Sequence, residues 1–131
     1  MFFTLYAAIC AIWICYLVLN VVKVRTSKQV AYGDGGEESL IIARTAHGNA
    51  VETIPVALLL LLGLELNQGS IWLLHFFGIT LLVGRGLHGI GVLSKTFKAR
   101  VLGMQITVFT LVGLSIANLL YLPIIRHTLG F

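Results

Sequence analysis

Charge is scarce in this chain. Lysine, arginine, aspartate and glutamate make up 11% of its 131 residues and apolar residues 58%, with a mean hydropathy of +0.97. Soluble domains carry roughly 25% charged and 45 to 50% apolar residues, so this composition excludes an ordinary soluble domain and indicates an integral membrane protein of one domain. Acids are scarcer than bases, with five against nine and a net charge of +4. The basic residues lie in or beside two connecting loops rather than along one face, which argues for membrane orientation and against nucleic acid as a partner. Cysteine is limited to Cys10 and Cys15, both inside the first apolar run. Five residues apart on a helix they point about 140° from each other, which excludes a ready bridge within the chain. Without a His cluster nearby they give no metal site.

What fills the chain instead is long apolar runs. Residues 2–22 carry no charge, enough to cross a hydrocarbon core of about 30 Å. The absence of a basic segment before this run, and its length, argue against a signal peptide. Further spans are expected over about 40–66, 71–93 and 100–122, giving an all-α, four-helix membrane bundle. The segment 23–39, with its Gly33-Asp-Gly-Gly-Glu-Glu-Ser39 run, reads as a solvated loop, because its spacing fits neither a calcium loop nor a phosphate loop. Lys23, Arg25, Lys28, Lys95 and Lys98 fall in or beside the first and third loops, and the second has no Lys or Arg. Loops 23–39 and 94–99 are therefore placed on the cytoplasmic side, with both termini opposite.

Span two opens with Arg44-Thr-Ala-His-Gly-Asn-Ala-Val-Glu-Thr-Ile-Pro55, which carries ionisable groups into an otherwise apolar helix. A charge near the middle of a bilayer helix costs roughly 2.5 to 3.5 kcal/mol on insertion scales, so such residues mark a protein interior or a wet cavity. At 100° per residue, Thr45, Asn49 and Glu52 fall within about 60° of one another, with Gly48 beside them and Arg44 and His47 on the flank. Pro55 frees the carbonyl of Val51 and is expected to bend the axis one turn beyond Glu52. Span three ends in Gly84-Arg-Gly-Leu-His-Gly-Ile-Gly91, where small residues permit close helix approach around Arg85 and His88.

Spans two and three are antiparallel, so these polar halves share one depth, and Arg100 enters from the start of span four. Pairing Glu52 with Arg85 is the economical arrangement, either as a structural ion pair or as part of a site. Arg44, Arg85 and Arg100, with Lys98 and the two histidines, outnumber Glu52. That excess calls for an anionic partner, a soluble molecule or a lipid headgroup.

The stretch Arg44 to Pro55, followed by Gly84 to Gly91 and Arg100-Val-Leu-Gly103, resembles the MAPEG family, membrane-associated proteins in eicosanoid and glutathione metabolism. The resemblance covers nearly the whole chain, and its specificity comes from pairing Asn-x-x-Glu-x-x-Pro on span two with Arg-x-x-His on span three. It implies a homotrimer with glutathione, as co-substrate, bound between subunits near the cytoplasmic face. By family position Asn49 and Glu52 would hold its polar and amino groups, and Arg44, His47, Arg85 and His88 would line the pocket and pair with its carboxylates. Arg100, or Lys98 as the alternative, would activate the thiol, and Arg25 or Lys23 would reach in from the adjacent subunit. The implied activity is a transferase or peroxidase acting on a lipophilic small molecule from the bilayer of a bacterial inner membrane. Eukaryotic members carry tyrosines where this chain has Thr53, His88 and Val92, so eicosanoid-specific chemistry is not expected. The alternative is a noncatalytic protein that binds a membrane lipid headgroup or other small anion. A four-helix multidrug transporter is disfavoured, because such exporters carry their key acid in span one and this span has none.

Overall fold

An apolar run in a bilayer must satisfy every backbone N–H and C=O within itself, which leaves the helix as its structure. The computed structural model describes residues 1–130 and contains four long helices, α1 (Phe3–Lys28), α2 (Glu38–Leu66), α3 (Ile71–Leu93) and α4 (Phe97–Leu120), followed by the short α5 (Pro123–Leu129). At 1.5 Å per residue the four measure roughly 35 to 43 Å, and each is long and apolar enough to span a membrane. No strand occurs among the described residues.

The helices differ from the expected spans at the end of α1 and the start of α4, and a fifth helix follows them. α1 continues past Val22 to Lys28, where Gln29 adopts a left-handed conformation (φ 55°) and closes the helix with its N–H on the Arg25 and Thr26 carbonyls. α4 begins at Phe97 rather than Arg100, and the tail after Pro123 is helical. Helices need not stop where the hydrocarbon does, and hydropathy reports only the hydrocarbon. α2 runs unbroken through Pro55.

Half of the apolar window of α3 is buried, against 22 to 28% for the other three, which makes α3 the central helix. It packs most extensively on α4, then on α2, and lightly on α1; α1 lies chiefly against α2, and α1 and α4 do not pack on one another. Leu17, Ile54, Leu61, Leu81 and Leu114 are fully buried. The α3–α4 contact depends on small residues. A Cβ on Gly103 would collide with the backbone of His88, and one on Gly91 with the backbone of Arg100, so both positions must remain glycine for the helices to approach this closely.

Side-chain hydrogen bonds to neighbouring helices reinforce this packing. Asn118 Nδ2 on α4 donates to the Leu60 carbonyl of α2 at 2.8 Å, and Thr110 Oγ1 lies 3.0 Å from Thr80 Oγ1 on α3. At the end away from the basic loops, the Glu65 carboxylate accepts the Phe2 and Phe3 N–H groups, each at 2.7 Å. An acid from α2 thus satisfies two of the N–H groups that every helix leaves open at its start. Beside it the Tyr6 hydroxyl and His75 Nδ1 share a 2.7 Å hydrogen bond.

Candidate functional site

Arg85 is the buried charge of the bundle, only 3% exposed. It projects from the central helix because Gly84, beside it, lets α4 come close enough for Thr107 to reach it. Its Nε donates to Thr107 Oγ1 on α4 at 2.9 Å, and its Nη1 to Thr53 Oγ1 on α2 at 3.0 Å and to the Asn49 carbonyl at 3.5 Å. Both hydroxyls have committed their protons elsewhere. Thr53 donates to the Asn49 carbonyl and Thr107 to the Gly103 carbonyl, each at 2.8 Å and each one turn back on its own helix. Their lone pairs are therefore free for the guanidinium. One side chain so ties α2, α3 and α4 together through neutral acceptors.

This arrangement corrects the expected Glu52–Arg85 pair. Glu52 is exposed and has no hydrogen-bond or ion-pair partner among the described residues. The physical reason is one step of helix azimuth. Thr53 follows Glu52 by about 100°, and it is Thr53 that faces α3. Thr53 and Thr107 were the interior residues that sequence reasoning missed. Their signal was a hydroxyl at the depth of an otherwise unpaired arginine.

His88, also 3% exposed, lies one turn beyond Arg85. Its Nδ1 is 3.1 Å from the Arg100 carbonyl, and because a carbonyl only accepts, Nδ1 carries the proton. His88 therefore holds the backbone of Arg100, while the Arg100 side chain stays exposed. Arg100 lines a cleft of about 380 Å³ at the end of the basic loops, together with Thr45, Gly91, Phe97 and the paired Lys95 and Glu38. Asn49 is half-buried and spends its amide on the Thr45 carbonyl at 3.2 Å, which leaves its side-chain oxygen open.

The remaining expected site residues point elsewhere in the single chain. Arg44 is exposed and His47 half-buried, and neither has a partner among the described residues. Lys98 and Lys23 are exposed. Arg25 turns back into its own loop, where Nη1 donates to the Gly33 carbonyl at 2.8 Å and the Val30 carbonyl at 3.3 Å. Lys95 pairs with Glu38 at 2.7 Å and Lys28 with Glu37 at 3.6 Å. Among the described residues no three His, Cys, Asp or Glu side chains gather as metal ligands would.

The polar groups thus divide into two sets. Arg85, Thr53, Thr107 and His88 face inward, whereas Glu52, Arg44 and the Arg100 side chain face outward and stand unpaired among the described residues. Chemically, the inner set is a frame. The outer set offers one carboxylate for a cationic group and two guanidiniums for anionic ones.

Comparison with known proteins follows the same lines. The family model described as "MAPEG family" matches residues 3–120. The chain is 42% identical over 119 residues to "Inner membrane protein YecN" of Escherichia coli strain K12, covering 91% of each chain. The protein of the same name from Escherichia coli O6:H1 strain CFT073 shows the same identity and coverage.

Proposed function

We propose that this chain, which belongs to the MAPEG family, is a glutathione-binding transferase or peroxidase of the bacterial inner membrane that acts on lipophilic electrophiles at the cytoplasmic side. The observation that carries this reading is the exposure of Glu52. It is the central residue of the 29-residue α2 and has no partner among the described residues. An ionised group at such a depth costs several kcal/mol against lipid and needs a protein or ligand partner. A second copy of the chain would cover this face, in the homotrimer that the family suggests, and glutathione would supply the complementary charges. Its ammonium group suits Glu52, its carboxylates suit Arg44 and the basic groups near Arg100, and the open oxygen of Asn49 suits an amide N–H.

In this reading Arg100 is the thiol-activating residue. A free thiol has a pKa of about 8.5 and reacts as the thiolate, so a guanidinium beside the sulfur raises the reactive fraction near neutral pH. Arg85 and His88 act as positioning residues. Arg85 fixes α2 against α3 and α4, and His88 fixes the backbone from which Arg100 projects. Lys98 and Arg25 are secondary candidates, the latter after release from its loop.

The second reading, a noncatalytic anion or lipid-headgroup protein, draws on the cleft beside Arg100, Thr45 and Lys95 at the end of the basic loops. One pair of measurements separates the two. Calorimetry of glutathione with the detergent-purified protein should show binding that Glu52→Gln weakens. Product analysis with glutathione and a generic aryl halide should show turnover that Arg100→Ala abolishes. No heat of binding up to millimolar glutathione would leave the anion-binding reading in its place.

A further inference from the structure

Of the nine Lys and Arg in the chain, only Arg126 stands at the end of the bundle away from the basic loops. That placement runs against the charge asymmetry that orients the other helices. Arg126 does not lie on a bare surface. With His127 it lines a cleft of about 420 Å³, walled on one side by Leu66, Asn67 and Gln68 of the α2–α3 turn and on the other by Tyr121. Its guanidinium carbon lies 5.8 Å from the centroid of the Tyr121 ring, a contact that orients the group. Among the described residues no Asp or Glu lines the cleft, and the acid nearest to it in sequence, Glu65, is engaged by the Phe2 and Phe3 N–H groups.

From this cluster we infer that the cleft is a headgroup site for phosphatidylglycerol in the periplasmic leaflet of the inner membrane. Counted from the midpoints of α2 and α4, Asn67 and Tyr121 lie about 22 and 19 Å along the helix axes, beyond the hydrocarbon edge at about 15 Å and level with the headgroups. A phosphodiester at that level is an anion with acceptors only, which suits Arg126 and His127 as donors. Asn67 Nδ2 is held by the Gly63 carbonyl at 3.0 Å, so what Asn67 offers a ligand is its oxygen. The side-chain amide of Gln68 has no hydrogen-bond partner among the described residues and offers a donor and an acceptor. A ligand that meets both sets carries a phosphate and hydroxyl groups together, as a glycerol headgroup does. An ammonium headgroup finds no carboxylate here and two basic side chains instead. At about 30 Å³ per water-sized group the space holds roughly fourteen, enough for a phosphodiester and its glycerol. Leu66 in the wall is 68% exposed and offers apolar surface to the upper acyl chain, which favours the lipid over free glycerol phosphate. The cleft lies at the opposite end of the bundle from Arg100, so the inference is independent of both readings given above.

Gln68 supplies a variant that separates binding from folding. Its backbone is left-handed (φ 55°), a conformation that glycine adopts at no steric cost, so Gln68→Gly removes the amide while easing the turn. The full chain is reconstituted in phosphatidylcholine nanodiscs with and without phosphatidylglycerol, and amide hydrogen exchange is followed in residues 121–130. At a phosphatidylglycerol content that fills about nine-tenths of the sites, exchange there slows about tenfold, because only the unoccupied fraction opens. Phosphatidate, which has the charge without the headgroup hydroxyls, and phosphatidylethanolamine slow it by no more than about twofold at the same content. Arg126→Gln removes the protection, and Gln68→Gly lowers it to the phosphatidate level without loss of thermal stability. Lys28→Gln, in the basic loop of the other face, leaves it unchanged. Equal protection by phosphatidate and phosphatidylglycerol overturns the inference, since charge alone then accounts for the effect. Protection that survives Arg126→Gln, or a preference undiminished in Gln68→Gly, places the lipid elsewhere and overturns it. Equal protection by dissolved glycerol 3-phosphate in pure phosphatidylcholine also overturns it, because no acyl chain is then needed. Exchange in 121–130 that ignores every lipid does so as well, and leaves Arg126 as an interfacial anchor.

Discussion

Arg85 makes an asymmetric prediction. Its acceptors, Thr53 and Thr107, each donate to a carbonyl of their own helix. Removing the guanidinium leaves both hydroxyls satisfied, whereas removing the hydroxyls leaves a buried cation with unmet donors. Thr107 is fully buried and Arg85 is 3% exposed, so neither recruits water in compensation. Hydrogen bonds to charged groups are worth about 1.5 to 3 kcal/mol, which makes the isosteric Thr107→Val destabilising by that amount and Thr53→Val with Thr107→Val by about twice as much. Arg85→Met keeps the apolar stem and costs less than the double threonine variant, because it leaves no buried group unpaired. In the Arg85→Met background Thr107→Val becomes nearly neutral. The assay is reversible unfolding in mixed micelles by SDS titration, followed by far-UV circular dichroism, run as a double-mutant cycle. Interhelical hydrogen bonds measured in a bilayer protein average about 0.6 kcal/mol. A coupling energy at or below that value, or an equal cost of Thr107→Val with and without Arg85, would refute the account of Arg85 as a tie between three helices.

Two further outcomes follow from the packing. Gly103→Ala drives a methyl group into the His88 backbone and should destabilise by about 1 to 3 kcal/mol in the same titration, while Gly86→Ala, with open space above it, should gain about 0.5 to 1 kcal/mol from helix propensity. Glu65→Gln removes one of the two oxygens that hold Phe2 and Phe3, at a cost of about 1 kcal/mol, the usual worth of an N-terminal cap. Faster hydrogen exchange confined to the first turn of α1 checks it, and unchanged protection there contradicts it.

Much of the fold was legible in the sequence because bilayer thickness sets the length of an apolar run. The expected spans coincide with the helices wherever the hydrocarbon sets the boundary. They depart at the cytoplasmic end of α1 and the first turn of α4, since a helix persists there on backbone hydrogen bonds, closed by Gln29 in α1 and begun by the Arg100 N–H on the Thr96 carbonyl in α4, that hydropathy does not register. Depth was legible too, because antiparallel order puts Asn49, Glu52, Arg85 and His88 at similar depth in the bundle. Azimuth was not. Glu52 and Thr53 are neighbours, and the residue that turns toward Arg85 depends on how α2 rotates when its apolar stripe of Ala46, Ala50, Ile54, Ala57 and Leu61 is buried. That stripe places Thr53 on the inner flank and Glu52 outside. Reasoning from charge alone favoured the carboxylate, because it did not count two threonines whose protons were already engaged.

The same rotation explains why the site is divided. Arg85 can be buried because the chain itself supplies acceptors from two helices to its Nε and Nη1, so its desolvation is offset in part within the fold, with Nη2 left unpaired. Glu52 finds no donor among the described residues of its own chain. At roughly 2.5 to 3.5 kcal/mol for an ionised group near the centre of a bilayer helix, that exposure would disfavour an isolated chain in lipid. Any surface that brings a cation to Glu52 recovers part of that cost, so association and ligand binding are favoured by the same unpaired carboxylate. The two are then linked by mass action: a ligand that satisfies Glu52 only in the assembled form stabilises the assembly by the logarithm of its concentration over its Kd. Under the proposed function, the subunit contact tightens as glutathione rises. In Glu52→Gln the neutral amide is tolerated by lipid, and the contact loses both its ligand dependence and much of its driving force.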